Sequence, residues 1–211
     1  MFDFLKYGNK LSPIVEKVET KIQPIHLEID KISELNQFKV LKSFQQHRVS
    51  DSHFIPTTGY GYDDLGRDTL EKVYADVFGG EAGLVRPQII SGTHAISIAL
   101  FGVLRPGDEL LYITGKPYDT LEEIVGIRGS GTGSLKEFQI GYQTVELMKD
   151  GAVDYNAVKH AVTNKTKMIG IQRSKGYATR PSFTIAEIRE MIKFVKSLKE
   201  EYFILFKNSS L

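Results

Sequence analysis

Apolar residues recur at three- and four-residue spacing over 25–48, at Ile25, Leu27, Ile29, Ile32, Leu35, Phe38, Leu41 and Phe44, with charged residues between them. This predicts one long amphipathic helix. Pro24 is tolerated near its start, and Pro13 marks the beginning of a shorter helix before it. By spacing alone such a helix covers a core, or else docks on a partner. Beyond Gly66 the pattern predicts a helix over 68–78, a short strand at 83–85 and a helix over 95–104 that ends at Pro106 and Gly107. Then come a strand at 110–113, a short helix at 120–125, a flexible glycine loop at 129–133, and a strand near 142–146. A helix at 154–162, strands at 168–172 and 202–206, and between those strands a helix at 185–199 complete the series. Alternation of this kind predicts an α/β fold with a mostly parallel sheet covered by helices and with its functional loops at the carboxyl ends of the strands. No internal repeat or low-complexity linker divides it.

Leading into the predicted helix at 95–104 runs Ile90, Ser91, Gly92, Thr93, His94, Ala95. An apolar run leads in, small residues turn the chain, and an amphipathic helix leads out. Two hydroxyls and the free N–H groups of a first helical turn can hold a phosphate, and Gly92 lets the backbone approach it closely. The same groups also suit a plain helix cap. His94 either contacts the ligand or packs as a polar residue.

Composition narrows the classes. A chain of 211 residues with 41% hydrophobic content is long enough to bury a substantial core. A formal charge of +1 with dispersed basic residues argues against nucleic acid as a partner. With no cysteine there is no disulfide and no thiolate nucleophile or thiolate metal site, and the five histidines are scattered, so no metal is expected. The first residues lack a signal-peptide core and no run of apolar residues could cross a membrane, which makes a cytoplasmic location the expectation.

Several motifs, taken in order, carry a resemblance. They are residues 57–70, with Thr57, Thr58, Gly59, Tyr60, Gly61 and Tyr62 leading into Gly66, Arg67, Asp68 and Thr69; the turn at 90–95; residues 105–109; residues 115–120; and the run from Ile171 to Tyr177. Over roughly 25–199 the chain resembles the aluminium-resistance, or methionine gamma-lyase-like, family of pyridoxal-phosphate proteins. That family is a branch of the cysteine and methionine metabolism enzymes of fold type I.

The resemblance implies an amino-terminal helical arm over 1–50 that embraces a second subunit, and a partial pyridoxal-phosphate-binding large domain over 51–211. It implies a carbon–sulfur lyase acting on sulfur amino acids, a homo-oligomer, and cofactor contacts at Ser91, Gly92, Thr93, His94, Tyr118 and Ser174. Tyr118 would stack on the pyridine ring. Tyr60, Tyr62 and Arg67 would reach the cofactor phosphate of the neighbouring subunit, although Asp64 stands where an arginine is expected. A solvated turn is the rival reading for that segment.

An absence also follows from the resemblance. The Schiff-base lysine belongs far beyond residue 199, and Lys207 stands at about the place expected for the aspartate that faces the pyridine nitrogen. The expectation is therefore a truncated copy, catalytically incomplete alone. Lys175 is a low-ranking substitute for the lysine, and Arg173, Ser174 and Lys175 are expected to line the site or an interface. Two rivals stay open: a noncatalytic dimer-forming remnant, and a binder of nucleotides or sugar phosphates that uses the same turn.

Overall fold

The computed structural model describes residues 6–60, 64–176 and 178–208. The chain forms two compact units, Met1–Gln88 and Ile89–Leu211. In the first, helix α1 (Gly8–Gln46) is followed by a 3-10 turn at Asp51–Phe54 and by helix α2 (Leu65–Phe78). The expected pair of helices divided near Pro24 is a single helix, with Pro13 and Pro24 inside it. Each proline removes one N–H donor, but Thr20, whose carbonyl loses its donor to Pro24, is exposed, so water can satisfy that carbonyl.

The last turn of α1 is tied to α2. Asp76 Oδ2 lies 2.6 Å from His47 Nε2 and accepts a hydrogen bond from the buried Ser43 Oγ at 3.2 Å. Further back the apolar positions stand in solvent: Ile25 is 60% exposed, Ile32 61% and Leu35 70%. Among the described residues this part of the amphipathic stripe covers no core.

The strand expected at 83–85 does not form. Val85 donates its N–H to Glu71 Oε1 at 3.0 Å, and Arg86 pairs with the same carboxylate, so a side chain of α2 takes a backbone group that a strand would need. A Cβ on Gly83 would lie 2.5 Å from the Glu71 carbonyl oxygen, which confines that position to glycine.

The second unit opens with α3 (Gly92–Val103), which starts three residues before its expected position because Ser91 caps it. There follow β1 (Glu109–Tyr112), α4 (Asp119–Val125), β2 (Gly141–Thr144), α5 (Tyr155–Ala161), β3 (Thr166–Gln172), α6 (Ile185–Leu198) and β4 (Phe203–Lys207). Asp154 caps α5 through the Ala157 N–H, and Thr184 and Glu187 form a reciprocal capping box on α6.

All the strand pairings are parallel, in the order β2-β1-β3-β4. This is the mostly parallel α/β sheet that the alternation of elements predicts. Alternate residues of a strand face opposite ways, so the sheet supplies two cores. Leu111, Ile113, Ile169 and Ile171 pack with Val158 of α5 and with Ile188, Met191 and Val195 of α6. Leu110, Tyr112 and Met168 pack with Leu100 of α3 and with Leu121 and Val125 of α4.

The connections set the position of the site. From β1 the chain crosses outward to β2, returns past β1 to β3, and continues in that same direction to β4, so the crossovers leaving β1 and β3 run opposite ways. The loops leaving β1 and β3 therefore diverge. A crevice at the carboxyl ends of these two adjacent strands is the usual ligand position in an open α/β sheet.

Candidate functional site

Residues from the two diverging loops meet at this crevice. Gln172, the buried last residue of β3, accepts a hydrogen bond on Oε1 from the Tyr118 N–H at 2.9 Å. Its Nε2 donates to the Ser174 carbonyl at 3.2 Å, and its own N–H donates to Thr114 Oγ1 at 2.9 Å. One amide side chain thus fixes the loop after β1 against the loop after β3.

Arg180 fixes the second loop from below. Its guanidinium donates to the carbonyls of Gln172 at 3.1 Å, Ser174 at 2.9 Å and Pro181 at 2.9 Å, and it lies 4.5 Å from the Phe183 ring centroid. Burial pushes its pKa down from the usual arginine value. Gln172, Thr114 and Arg180 are the organising residues that the sequence reading missed. A glutamine ending an apolar strand was the one available signal, since a polar group there needs partners once buried.

The α3 turn stands beside this framework. Ser91 Oγ accepts the His94 N–H at 3.1 Å, so Ser91 acts as a helix cap. The first-turn N–H groups of Gly92 and Thr93 remain without a hydrogen bond among the described residues, as geometry requires at a helix start. Thr93 Oγ1 lies 3.0 Å from Thr120 Oγ1, which brings the start of α3 to within two residues of Tyr118. Ser91 and Gly92 are exposed, as is His94. No strand leads into the turn.

Ser174 Oγ is buried and has no hydrogen-bond partner among the described residues. Lys175 is exposed, and with Thr114, Lys116, Glu146, Gln172 and Arg180 it lines an adjoining cavity of about 760 Å³. The α3 turn is not part of that lining.

In the first unit, Tyr60 is 95% exposed. Arg67 Nε donates to Asp68 Oδ1 at 2.9 Å, and its N–H donates to Asp64 Oδ1 at 3.0 Å. Asp64 is therefore the cap of α2, and the Thr57 hydroxyl and the Arg67 N–H hold its carboxyl below the usual carboxylate range. This capping explains an acid where a cation was expected. Tyr62 lies outside the described residues.

The pyridoxal phosphate that the family resemblance implies has two ends, and they fare differently here. Its phosphate finds donors at the α3 turn. Its ring finds the face of Tyr118 held by a cation, because Lys207 Nζ sits 4.6 Å from the ring centroid. A pyridine nitrogen calls for a carboxylate at that end. The residues present fit the phosphate and do not fit the ring.

A family model described as methionine gamma-lyase matches residues 11–210. The uncharacterised protein YnbB of Bacillus subtilis (strain 168) is 68% identical over 99% of this chain and 50% of its own length. A solved Bacillus cereus protein is 69% identical with a TM-score of 0.92, the match covering 94% of this chain and 49% of that one. A Listeria innocua structure, described as a candidate cystathionine beta-lyase involved in aluminum resistance, is 63% identical with a TM-score of 0.91, covering 94% and 48%. The chain thus spans about half the length of these relatives. The β1–β3 crevice and its sequence motifs run through the matched region, and the chain belongs to the methionine gamma-lyase family.

Proposed function

We propose that this chain retains the phosphate-anchoring part of a pyridoxal-phosphate carbon–sulfur lyase site without its ring-binding part, and is not a lyase on its own. The observation that carries this reading is the meeting of the α3 turn, Tyr118 and Ser174 at the switch point between β1 and β3, with an ammonium in the ring position. A family relative's description as a cystathionine beta-lyase supports sulfur amino acids as the substrate class of the complete site.

Gly92 and Thr93 each present an N–H to an anion, and the partial positive charge of the α3 start adds to them. Thr93 Oγ1, shared with Thr120, and the unpaired Ser174 Oγ are further donors within the same framework. Pyridoxal chemistry needs the ring to withdraw electrons from the substrate, and that requires control of charge at its nitrogen. Lys207 supplies the wrong sign for it.

The test is thermal stability. At a concentration of inorganic phosphate one hundred times its dissociation constant, the folded state should gain about 2.7 kcal/mol. For a chain of this size that is a rise in Tm of roughly 5–10 °C. Gly92→Val places a branched side chain where the backbone meets the anion and should abolish the rise. An equal rise in that variant would refute the phosphate turn.

The exposed stripe of α1 favours a second reading, in which the chain also associates with a second copy of itself. Ile25, Ile32 and Leu35 stand in solvent, and the edge strand β4 exposes Phe203 and Phe206. Sedimentation at micromolar concentration should show a species heavier than the monomer, and Ile32→Glu with Leu35→Glu should shift it to the monomer. A parent chain that sediments as a monomer without binding an apolar dye would dispose of this reading.

A further inference from the structure

Lys207 closes β4 in register with Gln172 of β3. Its carbonyl accepts the Arg173 N–H at 3.0 Å, and Arg173 Nη1 donates to the side-chain Oδ1 of Asn208 at 3.1 Å, so one arginine binds the lysine's own carbonyl and the side chain that follows it. The side chain runs from this fixed root to the face of Tyr118. The tyrosine is fixed as well. Its N–H is bound by Gln172, and Gly176, at φ +56°, approaches so closely that a Cβ there would meet Tyr118 Cδ2 at 3.1 Å.

We propose that Lys207 is a specificity-determining residue that keeps a pyridine ring off Tyr118, so that the crevice discriminates against pyridoxal-type phosphates while its α3 turn still takes an inorganic phosphate. This rests on reading the crevice as the cofactor site.

Two effects act in the same direction. An ammonium over an aromatic face is attracted by the electron density of the ring, and a stacking ligand must first displace it. A cation at about the place where the resemblance calls for a carboxylate would also oppose protonation of a pyridine nitrogen. Burial pushes the Lys207 pKa below the usual lysine value, and the Asp119 carboxylate opposes that shift. The lysine thus gives up hydration to lie on Tyr118 and has a carboxylate near enough to help hold it there.

The probe is pyridoxine 5'-phosphate, which carries the ring and the phosphate but has no aldehyde to form adducts with exposed lysines. Calorimetric titration of the parent chain, Lys207→Met and Lys207→Asp should show at least about tenfold tighter binding in both variants. Inorganic phosphate should bind all three within about threefold, because the replaced group faces the ring end and not the α3 turn.

In the parent chain the Lys207 Hε protons should be shifted upfield by the ring current of Tyr118. They should return to ordinary lysine positions in Tyr118→Leu. Parent binding as tight as that of Lys207→Asp, or unshifted Hε protons in the parent, would overturn the proposal. Failure of inorganic phosphate to bind the parent would instead sink the phosphate-turn reading, while the Hε shift would still judge the seating of Lys207.

Discussion

Supplied with pyridoxal phosphate and either cystathionine or methionine, the purified chain should release product no faster than pyridoxal phosphate does in buffer. Enzymatic acceleration is of order a millionfold or more, so the expected deficit relative to a complete lyase is the largest effect considered for this protein. The reason is local to the crevice. A cation stands over Tyr118, the residue to which the proposed reading gives the ring, and the same lysine lies at about the place where the family resemblance calls for a carboxylate. Lys175, which lines the adjoining cavity with Gln172, is exposed. Turnover that vanished in Lys175→Ala would reverse this conclusion and make Lys175 the reactive lysine.

Gly170→Val should lower stability by about 3 kcal/mol, or roughly 6–12 °C in Tm. Gly170 pairs with Tyr112 across the centre of the sheet, and a Cβ there would lie 2.7 Å from Tyr112 Cδ2 and Cε2. The Tyr112 side chain is only 1% exposed and is packed against Leu100 and Leu121, so it has no free space to retreat into. Thermal unfolding of Gly170→Val, Tyr112→Leu and the double variant would check this. The double variant should cost less than the sum of the two, because the smaller ring-free side chain relieves the clash. Additive losses would place the strain elsewhere.

Strands and helices of the second unit were legible because each buries a face, and burial imposes a period on the residue pattern. The expected strands at 110–113 and 168–172 differ from β1 and β3 by two residues or fewer at each end. The capping motif at Thr184 and Glu187 and the stop at Pro106 were written locally. The residues at 83–85 misled for the opposite reason: three apolar or small positions resemble a strand, but a carboxylate on α2 claims their backbone. The prolines of α1 misled because their cost depends on whether the freed carbonyl is wet, which is a tertiary fact.

At the site, Ser91, Gly92, Thr93 and Tyr118 were legible as types of residue in a turn before a helix and in a turn after a strand. Arg180 was invisible, since nothing in its neighbours signals that its guanidinium will gather several backbone carbonyls. The sequence by itself determined the alternation of elements, the capped turn at the start of α3, and the family to which its motifs point, because each of these is coded by residues near one another in the chain. Tertiary structure alone decided that β1 and β3 are neighbours, that Gln172 bridges their loops, and that the Lys207 ammonium comes to rest on the ring of Tyr118, 89 positions earlier in the chain. Those outcomes depend on crossover directions and on which polar groups are buried together, and neither is fixed until the sheet has assembled.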